Sequence, residues 1–201
     1  MKTRGSIHLA VMGAIALFIV AFALWGVSTY NGFVARNEDV SRSWAQVESQ
    51  YQRRLDLVPN LVETVKGTSR FEKETLTAVV DARARVGSVT VDKSVLNDPA
   101  AFKKFEDAQA GLTSALSRLM VVVEKYPDIK STESYRDLLV QLEGTENRIA
   151  VARKDFNEVA QGYNTAIKLF PNSLIADYGH FKERPYFSAA PEAAKAPAVK
   201  F

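Results

Sequence analysis

The fold is decided by residues 135–170, which read YRDLLVQLEGTENRIAVARKDFNEVAQGYNTAIKLF. An apolar or aromatic residue recurs there at every seventh position, and a second apolar row, interrupted by Thr145, follows the complementary positions. The two rows are Tyr135, Leu142, Ile149, Phe156, Tyr163 and Phe170, and Leu138, Ala152, Val159 and Ala166. Because a strand would need period two, this spacing predicts one helix of about 36 residues with an apolar face that other helices must cover.

Rows with the same spacing occur earlier in the chain. In the first segment, from residue 33 to residue 65, they are Phe33, Val40 and Val47, and Trp44, Tyr51, Val58 and Val65. In a later segment, from residue 98 to about residue 126, they are Phe105, Leu112, Leu119 and Tyr126, and Phe102, Leu116 and Val123. These segments are the predicted partners of the long helix.

Turn and capping residues mark the predicted helix ends. Lys66-Gly67 ends the first helix, in which Pro59 predicts a kink. Ser69-Arg70-Phe71-Glu72 matches a capping box and predicts a second helix, which carries Leu76, Val79, Val80 and Val86. A polar connector, 87–97, leads to the third helix, whose predicted N-cap is Asp98 with Pro99 at the first helical position. Ser131 or Thr132 caps the long helix, and Pro171 stops it.

Residues 7–27 form an uncharged apolar run, long enough for the bilayer core, which a helix crosses with about 20 residues. Trp25 and Tyr30 fall where interfacial aromatic anchors occur. Ala21-Phe22-Ala23 also fits the cleavage site of a signal peptide, but the run is long for that purpose, so we favour a retained anchor. The lipid bilayer is therefore the predicted partner of residues 7–27.

The charges that flank the apolar run set its predicted orientation. Lys2, Arg4 and the terminal amine precede it, and Arg36 and Arg42 follow it. The N-terminal flank carries one positive charge more than the other flank, which favours a cytoplasmic N-terminus. The large domain then lies outside, either periplasmic or extracellular. The predicted location is the cell membrane, with a single crossing.

Composition restricts the function classes. The chain has 201 residues, 47% of them hydrophobic, and a formal net charge of +3. Without Lys2 and Arg4, 24 basic and 23 acidic residues remain, a balance that argues against nucleic acid as a partner. The absence of cysteine excludes disulfides, thiol catalysis and zinc-thiolate sites.

The sequence predicts an all-α protein in which a transmembrane helix continues into an elongated antiparallel bundle of three to four long helices. A coiled coil between separate chains is the alternative use of the same apolar rows. The predicted divisions are an N-terminal flank (1–6), the transmembrane helix (7–27), the bundle (28–171), an aromatic-rich segment packed on it without regular structure (172–187), and a disordered Ala/Pro/Lys tail (188–201).

Polar residues that crowd two stretches of the predicted helices are candidates for an interaction network. They are Arg53, Arg54, Asp56, Asn60 and Glu63 near Pro59, and Glu143, Glu146, Asn147, Arg148, Arg153 and Asn157 in the long helix. If the two stretches face each other, opposite charges pair across the bundle and fix its register. The competing interpretation, favoured for any single residue, is a solvated charge with a partner one helical turn away.

Several blocks of sequence follow one another in a specific order: Tyr30-Asn31-Gly32-Phe33-Val34, Trp44-Ala45-Gln46-Val47, the run 53–67, Tyr126-Pro127-Asp128-Ile129-Lys130, the run 142–153, Tyr163-Asn164 and Phe170-Pro171. Together these blocks resemble the LemA family. The resemblance covers about residues 30–187. It implies a bacterial membrane protein with one N-terminal span and a helical-bundle domain, and it implies no established enzyme activity.

Motifs for catalysis and cofactors are missing from the sequence. There is no Gly-rich phosphate loop, and no histidine lies between His8 and His180 that could complete a di-iron site. We therefore expect no enzyme activity, no cofactor and no metal. The first function hypothesis is a membrane-tethered structural or adaptor protein that self-associates or docks membrane partners. The second is a sensor that binds a small ligand between the helices near Asn60 and Asn147, in a pocket of at least about 300 Å³.

Overall fold

The computed structural model of the protein describes residues 3–67, 71–89 and 93–188, and within these ranges it contains helices and no strand. The prediction of an all-α fold is confirmed. The predicted disorder of the tail falls, from residue 189 onwards, outside the described residues. The helices are α1 (Thr3–Lys66), α2 (Lys73–Gly87), a short 3-10 helix (Lys93–Asn97), α3 (Pro99–Val123), α4 (Pro127–Lys130), α5 (Glu133–Lys168) and α6 (Asn172–Tyr178).

The long helix has the predicted length and cap. It is α5, with 36 residues, and the hydroxyl oxygen of Thr132 accepts a hydrogen bond from the backbone N–H of Tyr135. The carboxylate of Asp98 likewise accepts from the N–H groups of Ala100 and Ala101 at the start of α3. Each cap satisfies N–H groups that lack a partner inside the helix. These two capping predictions are confirmed.

The start of α2 differs from the prediction. The helix begins at Lys73 with Glu72 at the N-cap position, so the predicted start at Ser69 is wrong by three residues. Ser69 itself lies outside the described residues. The side chain of Glu72 makes no cap hydrogen bond to the backbone and instead accepts one from the Thr75 hydroxyl.

The helices form an antiparallel bundle with two apolar clusters along its length. Trp44 of α1 packs on Phe156 of α5, and Arg54 of α1 meets Glu146 of α5, so the two helices run in opposite directions. One cluster contains Val58, Val79, Leu116 and Leu142 from four helices. In the other, α2 has ended, and the 3-10 helix and the C-terminal segment 180–188 take its place beside α1, α3 and α5.

Helix α1 continues unbroken through Gly32 and Pro59. Pro59 has no N–H to donate to the carbonyl of Leu55, four residues earlier. The Nε of Arg83 on α2 donates to that carbonyl oxygen instead, over 3.3 Å. A side chain from the neighbouring helix thus satisfies the group that proline leaves without a partner. The predicted kink at Pro59 stays a prediction.

The N-terminal part of α1 projects beyond the bundle. Its most apolar window of 18 residues has a mean hydropathy of 2.3, and none of that window is buried. By length and composition, α1 is the candidate membrane-crossing helix within the described part of the chain. It leads directly into Phe33 and Val40, the first buried residues of the core.

Three other predictions are wrong in detail. Phe170, the last member of the first apolar row of the long helix, is 82% exposed because α5 ends at Lys168. The connector is not wholly polar, since Val95 and Leu96 are buried. Residues 172–178 form helix α6 rather than irregular structure.

Candidate functional site

A charged network crosses the middle of the bundle, centred on Arg54 of α1, whose side chain is only 1% exposed. Its Nη1 donates to Oγ1 of Thr113 over 2.9 Å and to Oε1 of Glu146 over 3.0 Å. Its Nη2 donates to the side-chain oxygen of Gln109. The guanidinium carbon also lies 5.0 Å from the centroid of the Tyr51 ring. Both Nη groups of this buried cation are thereby hydrogen bonded, as the low dielectric of a core favours, while its Nε has no partner among the described residues.

This network joins three helices at one level, because Arg54 comes from α1, Gln109 and Thr113 from α3, and Glu146 from α5. Glu146 is partly open to solvent, with its side chain 38% exposed. Sliding any of the three helices by one turn would separate these groups and leave a buried charge without its partner. The network therefore stabilises one register of the bundle.

Most of the other predicted network residues lie on solvated helix surfaces. Arg53, Asp56, Asn60 and Glu63 are exposed on α1, and Glu143, Asn147 and Arg148 are exposed on α5. Two of them make local contacts, in which Asp56 accepts a hydrogen bond from Gln52 and Glu63 pairs with Lys66. The structure brings Arg54 and Glu146 together and leaves these seven residues outside the cross-bundle network.

Two further predicted residues hold the C-terminal segment. The amide nitrogen of Asn157 donates to the carbonyl oxygen of Phe187 over 3.0 Å, and the N–H of Phe187 donates to Oδ1 of Asn157 over 2.9 Å. Arg153 donates to the carbonyl oxygen of Ser188 over 2.8 Å, and its guanidinium carbon lies 4.6 Å from the centroid of the Phe187 ring. The side-chain amide of Asn157 thus makes the two hydrogen bonds with Phe187 that the backbone of an adjacent strand would make.

Asn164, one heptad after Asn157, repeats this arrangement with Arg184. Its amide nitrogen donates to the Arg184 carbonyl oxygen, and the Arg184 N–H donates to its Oδ1, both over 2.8 Å. The Arg184 guanidinium in turn donates to Oδ1 of Asn37 over 2.6 Å and to the Leu96 carbonyl oxygen over 3.2 Å. Sequence reasoning missed Asn164 and Arg184. The spacing of seven between two asparagines was the available signal for Asn164.

Aromatic rings fill the core beneath the C-terminal segment. The ring of Trp44 lies 5.3 to 6.0 Å, between centroids, from the rings of Phe102, Phe105, Phe156 and Phe187. Pairs at these distances add to the stabilisation from burial itself. Phe187, only 6% exposed, packs on Trp44 of α1, Phe102 of α3 and Phe156 of α5, so it fixes the C-terminal segment to three helices at once.

Burial raises the pKa of three tyrosines above its usual value. The largest cause for Tyr51, Tyr135 and Tyr163 is loss of solvation, which disfavours the phenolate form. For Tyr51, the nearby guanidinium groups of Arg153 and Arg54 oppose this rise without cancelling it. These hydroxyls stay protonated well above neutral pH.

Three open grooves follow the face that α1 and α5 share. The largest, about 620 Å³, is lined by Gln46, Asn147, Arg148 and Val151 among others. A second, about 550 Å³, carries both signs of charge, with Arg36 and Arg42 facing Asp155 and Glu158. The third, about 420 Å³, includes Arg36, Gln161 and Leu169. Asn60 lines none of these three grooves, so none of the three joins the two asparagines of the ligand-sensor hypothesis.

Within the described residues, no group of three or more histidine, cysteine, aspartate or glutamate side chains is placed to hold a metal ion. The charged groups of the core instead form the hydrogen bonds given above. The arrangement fixes the register of the helices and anchors the C-terminal segment 180–188.

These features define the class: an all-α bundle whose first helix extends beyond the core as an exposed apolar rod. The profile of the LemA family matches residues 43–201, and the chain belongs to the LemA family.

The chain is similar to two named groups of proteins. It is 32% identical to Magnetosome protein MamQ 2 of Paramagnetospirillum magneticum and 31% identical to Magnetosome protein MamQ of Magnetospirillum gryphiswaldense. Each of these matches covers 94% of this chain and 75% of the relative. It is 24% identical to Protein LemA of Metamycoplasma hominis, over 79% of this chain and 72% of that protein.

Proposed function

We propose that this protein is a membrane-anchored, non-enzymatic scaffold or adaptor, whose bundle self-associates or docks membrane partners. The observation that carries the proposal is the continuity of α1, which runs from a fully exposed apolar segment into the buried core without an intervening loop. Exposed apolar area on this scale is costly in water and favourable in lipid. The bundle is thereby held at a fixed distance and angle from its anchor.

The surface of the bundle supports a role in assembly. The grooves along α1 and α5 expose Val151 and carry both signs of charge, which suits contact with another protein surface of mixed charge. Anchored chains also meet at high local concentration, so weak contacts between copies are enough for association. The N-terminus is cytoplasmic in this proposal, and the bundle lies on the opposite side of the membrane.

Photo-crosslinking in intact membranes tests the proposal. A photoreactive amino acid replaces Val151 in the groove or, as a control, Val121, which is similarly exposed on α3. We expect covalent products from position 151, either with a second copy or with a membrane protein identified by mass spectrometry, and few from position 121. A strictly monomeric protein in detergent that gives no product at either position contradicts the proposal.

A reporter fused after Phe201 tests the orientation. An enzyme that is active only outside the cytoplasm is expected to be active in this fusion. Activity of a cytoplasm-specific reporter instead would reverse the orientation and leave the anchor itself unaffected. Sequencing of the mature N-terminus then distinguishes a retained anchor from a signal peptide, since a start at Leu24 would show cleavage.

A further inference from the structure

Helix α6 lies beside α1 at the point where the apolar run 7–27 ends. The Cδ1 atom of Ile175 lies 3.7 Å from the position that a Cβ atom on Gly26 would take. Just after α6, the ring of Phe181 packs on Tyr30 and on Phe33, with 5.3 Å between centroids in each pair. Along the axis of α1, α6 is therefore level with about residues 26–30.

The outward side of this corner of the molecule is apolar. Leu169, Phe170, Leu174 and Tyr178, which we call the α6 foot, are 56%, 82%, 57% and 86% exposed. Leu174 and Tyr178 are one turn apart on α6, whereas Ala176 is buried on its other side. The side chains of the α6 foot leave much apolar area in contact with water unless lipid or another molecule covers them.

Elsewhere on the described bundle, exposed large apolar side chains do not cluster in this way. Beyond residue 34 and outside the foot they are Val80, Val121, Val140, Val151 and Tyr186. Val80 lies on α2 and Val121 on α3, while Val140 and Val151 lie at separate places along α5. Single exposed apolar residues of this kind need no special explanation. The apolar cluster is thus confined to the end of the bundle that adjoins the anchor.

We propose that the α6 foot lies in the interfacial layer of the bilayer that residues 7–27 cross, so that the protein contacts lipid at two places. The inference rests on the membrane anchor of the proposed function. The interfacial layer is about 5 to 8 Å thick on each side of the hydrocarbon core. The first charged residue of α1 after the apolar run is Arg36, about 14 Å beyond Val27 along the helix axis. A helix level with residues 26–30 therefore falls within that layer.

The residue types in and around the foot match what this layer favours. Tyrosine and tryptophan are enriched there, and α6 lies beside the stretch of α1 that carries Trp25 and Tyr30, since Ile175 approaches Gly26 and Gly179 approaches the Tyr30 ring. Lys182 follows α6 in sequence and is exposed, and lysine side chains extend from apolar surroundings towards lipid headgroups. Lys168, which precedes α6, is also exposed and pairs with Glu183 over 2.7 Å. The only charged residue within α6 is Asp177. Continuity with the apolar segment thus favours lipid as the occupant.

Single-cysteine labelling tests this contact, because the native chain has no cysteine. The full chain carrying L174C or Y178C is labelled with an environment-sensitive fluorophore and reconstituted into vesicles of phosphatidylcholine and phosphatidylglycerol. Fluorescence is then quenched either by nitroxide-labelled lipid or by aqueous iodide. V140C, 67% exposed on α5 and about 40 Å from its C-terminal end, is the water-exposed control. L24C, also 67% exposed, reports on the apolar segment.

We expect nitroxide lipid to quench the labels at positions 174 and 178 at least half as strongly as the label at position 24, and to leave position 140 unchanged. If position 24 is quenched by lipid while 174 and 178 are quenched by iodide, the foot lies in water and the inference is wrong, although the anchor stands. If 174 and 178 are shielded from both quenchers, a protein surface covers them, which also overturns it. If position 24 itself is not quenched by lipid, the anchor fails as well.

Discussion

Arg54 of α1 and Glu146 of α5 form an ion pair across the middle of the bundle, with 3.0 Å between Nη1 and Oε1. The two residues are 92 positions apart in sequence, so the pair forms only when the first and last long helices lie in one register. Removal of either group leaves part of a buried network without its partner.

Replacement of Arg54 by alanine should destabilise the protein by about 3 kcal/mol, because the change opens a cavity and leaves Gln109 without its donor. For a chain of this size, that corresponds to a fall of about 6 to 12 °C in the unfolding midpoint. Far-UV circular dichroism of the protein in detergent measures it. Arg53→Ala is the matched control, since that exposed neighbour should change stability by no more than about 0.5 kcal/mol. Equal effects of the two substitutions would contradict a specific role for Arg54.

The two asparagines that hold the C-terminal segment should each protect one backbone amide. Asn164→Ala should accelerate hydrogen exchange of the Arg184 N–H, and Asn157→Ala that of the Phe187 N–H, since each amide donates to the asparagine removed. Nuclear magnetic resonance of the protein in detergent resolves the two amides. Each variant is the control for the other. Equal acceleration of both amides in both variants would show that the segment detaches as one unit.

Glycine substitutions should change stability in opposite directions at two places. Gly111, exposed on α3, has space for a Cβ atom, so Gly111→Ala should stabilise the protein by about 0.5 to 1 kcal/mol through its higher helix propensity. A Cβ atom on Gly179 would lie 2.6 Å from the Phe181 ring, so Gly179→Ala should destabilise the protein by about 1 to 3 kcal/mol. Thermal unfolding measures both. A stabilising Gly179→Ala would mean that Phe181 moves without cost.

Alkaline pH should destabilise the fold through its buried tyrosines. Burial raises the pKa of Tyr51 in the folded state above 10.0, while in the unfolded state this tyrosine ionises at about 10. Above that pH the unfolded chain releases the Tyr51 proton, whereas the folded chain retains it. The contribution of Tyr51 to stability is therefore complete below pH 10 and is lost as the pH rises through the pKa of the folded state. The unfolding midpoint, measured from about pH 9 to about pH 11, should therefore decrease.

Substitution of single tyrosines separates this effect from general alkaline damage. Tyr51→Phe should reduce the alkaline loss of stability, because the group that ionises in the unfolded chain is gone. The same pH profile in Tyr51→Phe and in the unsubstituted protein would show that other groups cause the loss.

Heptad spacing was a sound guide to the helices because the bundle buries the rows that it predicts. Tyr135, Leu142, Ile149, Phe156 and Tyr163 are all buried, and the row fails only at Phe170, where the chain has already left α5. Spacing carries no information about a residue beyond the helix end. The same limit applies to α6, which is too short for periodicity to distinguish it from irregular structure.

The polar residues were less predictable because their partners come from other elements. Gln109 occupies the place between Phe102 and Leu116 in the second buried row of α3, and a polar residue at such a position was a usable signal for the Arg54 network. Arg184 offers no such signal, since it lies in an extended segment and its contacts with Asn37 and Leu96 span 147 and 88 positions. Such contacts depend on tertiary structure alone.

The unbroken course of α1 makes the chain sensitive to residue count at the boundary between its apolar rod and its core. Insertion of one residue after Val27 would turn the rod by about 100° about its own axis and shift it by 1.5 Å, while both parts stayed helical. Gly26 would then rotate away from Ile175, which the bundle holds in place. The number of residues in α1 thus sets how the apolar rod is rotated relative to the core.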